Sequence, residues 1–416
     1  MDKERYGASL NQLVIYRNLL HDSLLQMFRN IACGAVTDDV IYDFSAQLIT
    51  KGEELALTGD IWKKYLVYLL AGDENIFSRT VEKSRGIIGD SLRQAVIHDL
   101  RILQSLISRD DVAYFKELSF IHEFVPTRSA SFGDNSQFIN QLLSAFYELP
   151  PEQLVEKFLD HYKRYGCGSI AAFPAFRWDE EKGLEGIKYP DQISLHDIVG
   201  YESQKELLIK NTEAFLNNKL ANNVLLVGAR GTGKSSSVKG LINQYFDQGL
   251  RLVEVPKNQL SSLSKIINTL RGRSLKFIVF LDDLSFEESE TEYKHLKSVI
   301  DGGIEAKPDN VILYATSNRR HLIREDWSDR AGSKDIHTAD SVHEKVSLSD
   351  RFGIILTFTT PDQEKYLRIV ESLAAKHRIS LPQEELQRRA LRWEVTHSGR
   401  SGRVAQQFVN YLKGGC

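Results

Sequence analysis

Gly228-Ala229-Arg230-Gly231-Thr232-Gly233-Lys234-Ser235 sets glycines, one lysine and one hydroxyl at the spacing of a phosphate-binding loop. Glycine lets the backbone close around an anion because no Cβ blocks the approach. The loop N–H groups and the N-terminus of a following helix then point at the phosphates. Lys234 is placed to reach the β- and γ-phosphates of a nucleoside triphosphate, and the Ser235 hydroxyl to ligate Mg²⁺. With Ser236, these residues are the expected contacts of the bound nucleotide's phosphates. A second acidic feature follows downstream, where the apolar run Lys276–Leu281 ends in Asp282-Asp283. Asp282 suits holding the Mg²⁺ and Asp283 acting on an attacking water. Asn318 follows another apolar run, where an amide can orient water near the γ-phosphate.

These residues need elements to hold them at one place. Asn223–Val227 is a short β-branched run before the loop, and Ser236–Phe246 after it has helical spacing. Strands are also expected at Arg251–Val255, Lys276–Leu281, Val311–Ala315 and Ile354–Phe358, with helices at Ser203–Asn217 and Leu260–Leu270. Alternating strands and helices imply a five-stranded parallel sheet with helices on both faces. Ligands of such sheets bind at the carboxyl ends of the strands, where Gly228–Ser235, Asp282, Asp283 and Asn318 all fall. The expected organisation is an all-α N-terminal interaction domain over 1–165, a connector over 166–194, an α/β core over 195–360 and a C-terminal helical lid over 361–416.

The N-terminal region carries apolar stripes at helical spacing in Leu13–Phe28, Ile61–Leu70, Leu92–Leu106 and Phe138–Phe146, and Pro150-Pro151 opens one more helix. His21, His98, His122 and His161 stand apart from one another, as packing or surface residues rather than ligands. Arg128–Asn135 reads as a loop. The connector's Phe173, Phe176 and Trp178 are expected to pack it against a neighbouring domain. Thr360-Pro361-Asp362-Gln363 predicts a helix with Thr360 as N-cap and Pro361 at its first position. Leu195–Tyr201 opens the core ahead of the glycine loop, and Ile198, Val199 and Gly200 are expected to contact the adenine.

The chain has 416 residues, a net charge of −3 and 42% hydrophobic residues, the profile of a globular protein without a global basic field. Its three cysteines, Cys33, Cys167 and Cys416, are too few and scattered for a disulfide framework or a zinc site. No apolar run approaches the roughly 20 residues of a membrane span. A cytoplasmic setting is the expectation.

Together these motifs resemble the AAA+ superfamily of P-loop ATPases over roughly residues 190 to 412. Lys234, Asp282 and Asn318 match Walker A, Walker B and sensor 1. Ser347–Gly353 resembles the box that carries an arginine finger, at Arg351, and Ser401–Ala405 resembles sensor 2, at Arg403, with Arg400 competing for that role. Ala221–Leu226, Asp282–Glu287 and Tyr314–Leu322 further resemble the bacterial group called domain of unknown function 815. The resemblance implies an ATPase whose Arg351 acts across a subunit boundary, and hence self-association into a ring or spiral.

One departure stands out. The superfamily usually ends the Walker B strand in Asp-Glu, and here it is Asp282-Asp283. A shorter carboxylate implies slow hydrolysis, since a misplacement of about 1 Å can cost roughly a hundredfold in rate. Three functions follow: remodelling or assembly of a protein client presented by the N-terminal domain, a DNA-associated loader or initiator, or a nucleotide-gated switch with slow turnover. Peptide threading is disfavoured because Val255–Leu260 lacks an aromatic pore residue. The DNA reading rests on the likeness of Ser347–Gly353 and the compact lid to that branch of AAA+. The basic clusters Arg271-Gly272-Arg273 and Arg319-Arg320-His321 are able to touch phosphates, and the negative net charge stands against it.

Overall fold

A computed structural model describes residues 9–32, 37–108, 119–127, 135–188, 190–286, 292–301, 307–318, 348–397 and 399–414. The chain divides into two compact units, one of Met1–Ala172 with Gly272–Leu275, the other of Phe173–Arg271 with Lys276–Cys416.

The first unit is helical: α1 (Ser23–Ala32), α2 (Asp38–Glu54), α3 (Ile61–Gly72), α4 (Ile76–Ser84), α5 (Asp90–Ile107), α6 (Asn135–Glu148), α7 (Pro151–Tyr165) and the short α8 (Gly168–Ala172). The stripe on α5 buries Val96, Leu100, Leu103 and Leu106, and α7 buries Leu154, Val155, Phe158 and Tyr162. Phe28, Phe44 and Trp62 fill the core between α1, α2 and α3, with ring centroids 4.4 to 6.2 Å apart.

The stripe over Leu13–Phe28 predicts a helix, but only its second half becomes one. Residues 13–16 are irregular, and Arg17–His21 is a 3₁₀ turn before α1. The reason lies on α5. The N–H groups of Val14, Ile15 and Tyr16 donate to the carboxylate of Asp99 at 3.0, 2.7 and 3.0 Å, and Asp99 is fully buried. A carboxylate satisfying three donors outcompetes the helical pattern.

The second unit is built on a seven-stranded sheet. Its strands are β1 (Ala175–Asp179), β2 (Gly183–Gly186), β3 (Val224–Gly228), β4 (Leu250–Glu254), β5 (Lys276–Leu281), β6 (Val311–Ser317) and β7 (Ile354–Phe358), in the order β2-β1-β4-β5-β6-β3-β7. All neighbours are parallel except β1 and β2. The five expected strands are therefore present and form one parallel block, but the sheet is two strands wider than expected. The addition comes from the supposed connector. Phe176 and Trp178 are buried at alternate positions of β1 with Arg177 exposed between them, the pattern of an edge-side strand rather than a linker.

Helices α9 (Glu202–Leu216), α10 (Lys234–Tyr245), α11 (Leu263–Leu270) and α12 (Tyr293–Asp301) belong to this unit. Leu208 and Phe215 of α9 and Val238 and Leu241 of α10 share a core with Val224, Leu226, Ile278 and Ile312 of the sheet. Buried on both faces, β5 is continuously apolar after Lys276. The chain ends in α13 (Gln363–Lys376), α14 (Gln383–Thr396) and α15 (Gly402–Lys413), which share a core of Tyr366, Val370, Ala390 and Phe408. The N-cap of α13 is Asp362, whose carboxylate accepts from Lys365 N–H at 2.8 Å, so the expected Thr360 and Pro361 lie outside the helix. A carboxylate at that place also favours the helix dipole. Among the described residues no helix is long and apolar enough to cross a membrane.

Candidate functional site

At the carboxyl ends of β3, β5 and β6 the second unit opens into a cleft of ≈ 1010 Å³. Its floor is the loop between β3 and α10. Arg230 to Ser236 line it, while Gly228 and Ala229 lie behind. Gly228 has φ 142, and a Cβ there would stand 2.0 Å from Phe358 O, so the close pairing of β3 with β7 requires glycine. Gly231 has φ 73, and a Cβ there would meet Ser401 Oγ and Arg403 Cβ at 3.0 Å, so the loop also lies against the start of α15. Arg403 N–H donates to Gly231 O at 3.3 Å across the same contact.

Lys234 opens α10 and is buried. Its Nζ donates to Gly228 O at 2.8 Å, Ala229 O at 2.7 Å and Asn318 Oδ1 at 3.0 Å. All three acceptors are neutral. Burial lowers the lysine's pKa, opposed by the carboxylates of Asp283 and Asp282. Ser235 Oγ donates to Asp282 Oδ1 at 2.6 Å, which brings a hydroxyl and a carboxylate to one point.

The acidic pair is held by the end of β6, residue for residue. Thr316 Oγ1 donates to Asp282 Oδ1 at 2.5 Å and accepts from Asp283 N–H at 2.9 Å. Thr316 O accepts from Leu284 N–H at 2.7 Å, and Ser317 Oγ donates to Leu284 O at 2.6 Å. Asn318 Nδ2 donates to Asp283 Oδ1. Asp283 itself takes φ 52, a left-handed conformation in which aspartate is several-fold enriched over most side chains. Lys234, Asn318, Asp283, Thr316, Asp282 and Ser235 thus form one continuous hydrogen-bonded chain around the cleft.

The remaining expected residues divide. Ile198 and Val199 line the cleft, whereas Gly200 does not, and Tyr201 beside it does. Gly200 instead takes φ 79, with the Lys365 side chain against the place a Cβ would fill. Of the competing arginines, Arg403 lines the cleft, while Arg400 pairs with Glu394, its Nε–H shared between the two carboxylate oxygens at 3.0 and 2.7 Å. Arg351 lies outside the lining and pairs with Asp301 of α12 in its own chain.

Arg273 is nearly buried and pairs with Glu82 and Glu74 at 2.9 Å, so the basic cluster it belongs to is not a set of free cations. Arg319-Arg320-His321, Ser347, Cys33, Cys416 and the loop at 128–134 lie outside the described residues.

Two contributions escape a reading of the motifs. Thr316 stands two residues before Asn318 in the sequence, but only the fold shows that it serves both aspartates. The far wall comes from Ile369, Leu373, Lys376 and His377 on and just after α13, whose spacing marks only a helix. Lys376 Nζ ties that wall to Asp197 at 2.7 Å.

The site fits a nucleoside triphosphate with Mg²⁺. The loop is a glycine cradle at a helix N-terminus, and Ser235 with Asp282 supplies the hard oxygen donors such a cation takes alongside substrate phosphates.

A family model described as "Protein of unknown function (DUF815)" matches residues 171–416. No curated protein matches the chain. Among solved structures, the Thermotoga maritima RuvB Holliday junction branch migration motor aligns at 18% identity and TM-score 0.36, over 53% of this chain and 64% of that one. Mutants of the same protein align at 17% and 18% identity, with TM-scores of 0.36 and 0.37. The chain therefore spans less than two thirds of those chains' length, 65% in both mutants.

Proposed function

The chain belongs to the DUF815 family, and we propose that its α/β unit is an AAA+ ATPase site that binds ATP with Mg²⁺ and hydrolyses it. The observation that carries this reading is the continuous hydrogen-bonded chain from Lys234 to Ser235, assembled from three strand ends. Lys234, whose acceptors here are all neutral, brings a positive charge to the phosphates. Arg403 faces the same cleft and adds a second. Ser235 and Asp282 would hold the Mg²⁺, which when bound would neutralise charge across the phosphates. Asp283, exposed at the cleft and held by Asn318, orients the attacking water and takes up its proton. Ile198 and Val199 offer an apolar surface to the base, with Tyr201 beside them.

Arg351 serves a neighbouring subunit in this reading, leaving Asp301 when a ring or spiral forms. The helical unit then presents a protein client, and ATP turnover remodels or assembles it. The loader reading loses support, because Arg273 is committed to Glu82 and Glu74. The switch with slow turnover keeps support from one observation, the left-handed turn that fixes Asp283.

The test measures ATP binding and turnover side by side in three proteins. Lys234→Ala is expected to abolish turnover. Arg351→Ala is expected to abolish turnover while leaving ATP binding intact, since an arginine acting in trans is worth roughly 10³–10⁵ in rate. Normal turnover in Arg351→Ala contradicts the trans role. A wild-type protein that binds no ATP contradicts the whole reading.

A further inference from the structure

We propose that Thr316 is a positioning residue for the cation and the attacking water, acting through Asp282 and Asp283 rather than touching either ligand; this rests on the ATPase reading above. Thr316 sits on β6, is 1% exposed, and uses its one hydroxyl twice. The proton goes to Asp282 Oδ1, the oxygen that also accepts from Ser235 Oγ. The oxygen takes the N–H of Asp283 at 2.9 Å, closer than the same N–H comes to Asp282 Oδ1 at 3.2 Å. That second bond pins the backbone at the residue with φ 52, and so sets where the Asp283 carboxylate stands beside Asn318. Thr212, equally buried on α9, shares its hydroxyl between Leu208 O and Tyr314 Oη, neither of them charged. Thr316 spends both halves on consecutive acidic residues with different tasks. One Oδ1 with two short donors is also a carboxylate whose orientation is fixed before a cation arrives, and groups that orient metal-holding carboxylates typically change affinity or activity 10- to 100-fold when lost.

The test compares wild type with Thr316→Val, Thr316→Ala and Thr316→Ser, using Mn²⁺ as a spin probe in the presence of a non-hydrolysable ATP analogue, together with single-turnover hydrolysis of ATP. Valine and alanine remove both bonds and are expected to weaken Mn²⁺ binding and slow the single turnover by about 10- to 100-fold. Nucleotide binding without metal stays near wild type, and serine restores both readouts. Circular dichroism melts report whether each variant folds. Valine or alanine variants that fold and match wild type in Mn²⁺ affinity and rate overturn the inference while the ATPase reading stands. Variants that fail to fold while serine folds assign Thr316 to the scaffold and also overturn it. A wild type with neither Mn²⁺–nucleotide binding nor turnover fails the ATPase reading instead.

Discussion

The two units treat buried polar chemistry in opposite ways. In the helical unit a polar or charged side chain is enclosed and met by fixed partners: Asp99 by three backbone N–H groups, Glu82 by Arg273 and the Cys167 N–H, Asn75 by its own capping box with Ser78. In the α/β unit the polar side chains at the strand ends are also joined to one another, yet they border a cleft, and Asp283 and Arg403 are exposed. The first arrangement fixes a shape. The second holds a set of donors and acceptors in place for something that comes from outside. The same hydrogen bonds thus carry stability in one unit and preorganisation in the other.

Removing a charge from the helical unit breaks this contrast most sharply. Asp99→Ala leaves the N–H groups of Val14, Ile15 and Tyr16 without their acceptor, at a cost of about 3–5 kcal/mol. Urea denaturation followed by circular dichroism should show that loss, whereas a change below about 1 kcal/mol would mean water replaces the carboxylate.

A pH titration sharpens the same side. His161 is buried against Phe138, its Nε2 on Ala71 O at 2.9 Å, and burial lowers its pKa from 6.5 to about 4. The unfolded chain therefore binds a proton between those values that the folded chain refuses. Stability is full above pH 6.5 and declines as pH falls toward about 4, by up to ~3 kcal/mol. Comparing His161→Gln with wild type isolates the effect: the difference in stability should change across that window and be flat above it. A difference independent of pH would show that His161 charges in the folded state.

The smallest expected effect concerns the length of the second carboxylate. From the sequence, Asp283 is one methylene short for its task. In the structure it sits at φ 52, where aspartate is more at home than glutamate, and reaches Asn318 from there. Asp283→Glu should therefore slow turnover by about tenfold with an unchanged melting temperature. Faster turnover would mean that the missing methylene limits the natural enzyme.

Much of this was legible in the residues alone. The strands starting at Val224, Lys276 and Val311 are buried on both faces and read as near-continuous apolar runs, those at Leu250 and Ile354 are mostly apolar, and the glycine loop and the acidic pair are as plain. Positions 13–16 misled, because a helical stripe says nothing of a carboxylate on a distant helix that takes the N–H groups. Phe176 and Trp178 misled similarly, since a strand of five residues between glycines and prolines looks like a connector until its neighbour is known. The left-handed turn at Asp283 has no sequence signal of its own. It follows from pairing with Thr316 and Ser317, and pairing is a property of the sheet. That Arg403 borders the cleft while Arg400 pairs with Glu394 is likewise invisible in two arginines three residues apart.

In the proposed function the cleft is preorganised to hydrolyse ATP, and Asp283 acts on the attacking water. Single-turnover hydrolysis with ATP bound, in wild type and in Asp283→Asn, tests it most directly. The expected result is that both proteins bind ATP with similar affinity and that only wild type releases phosphate at an appreciable rate. Equal phosphate release from the two, or no ATP binding by wild type, would contradict it.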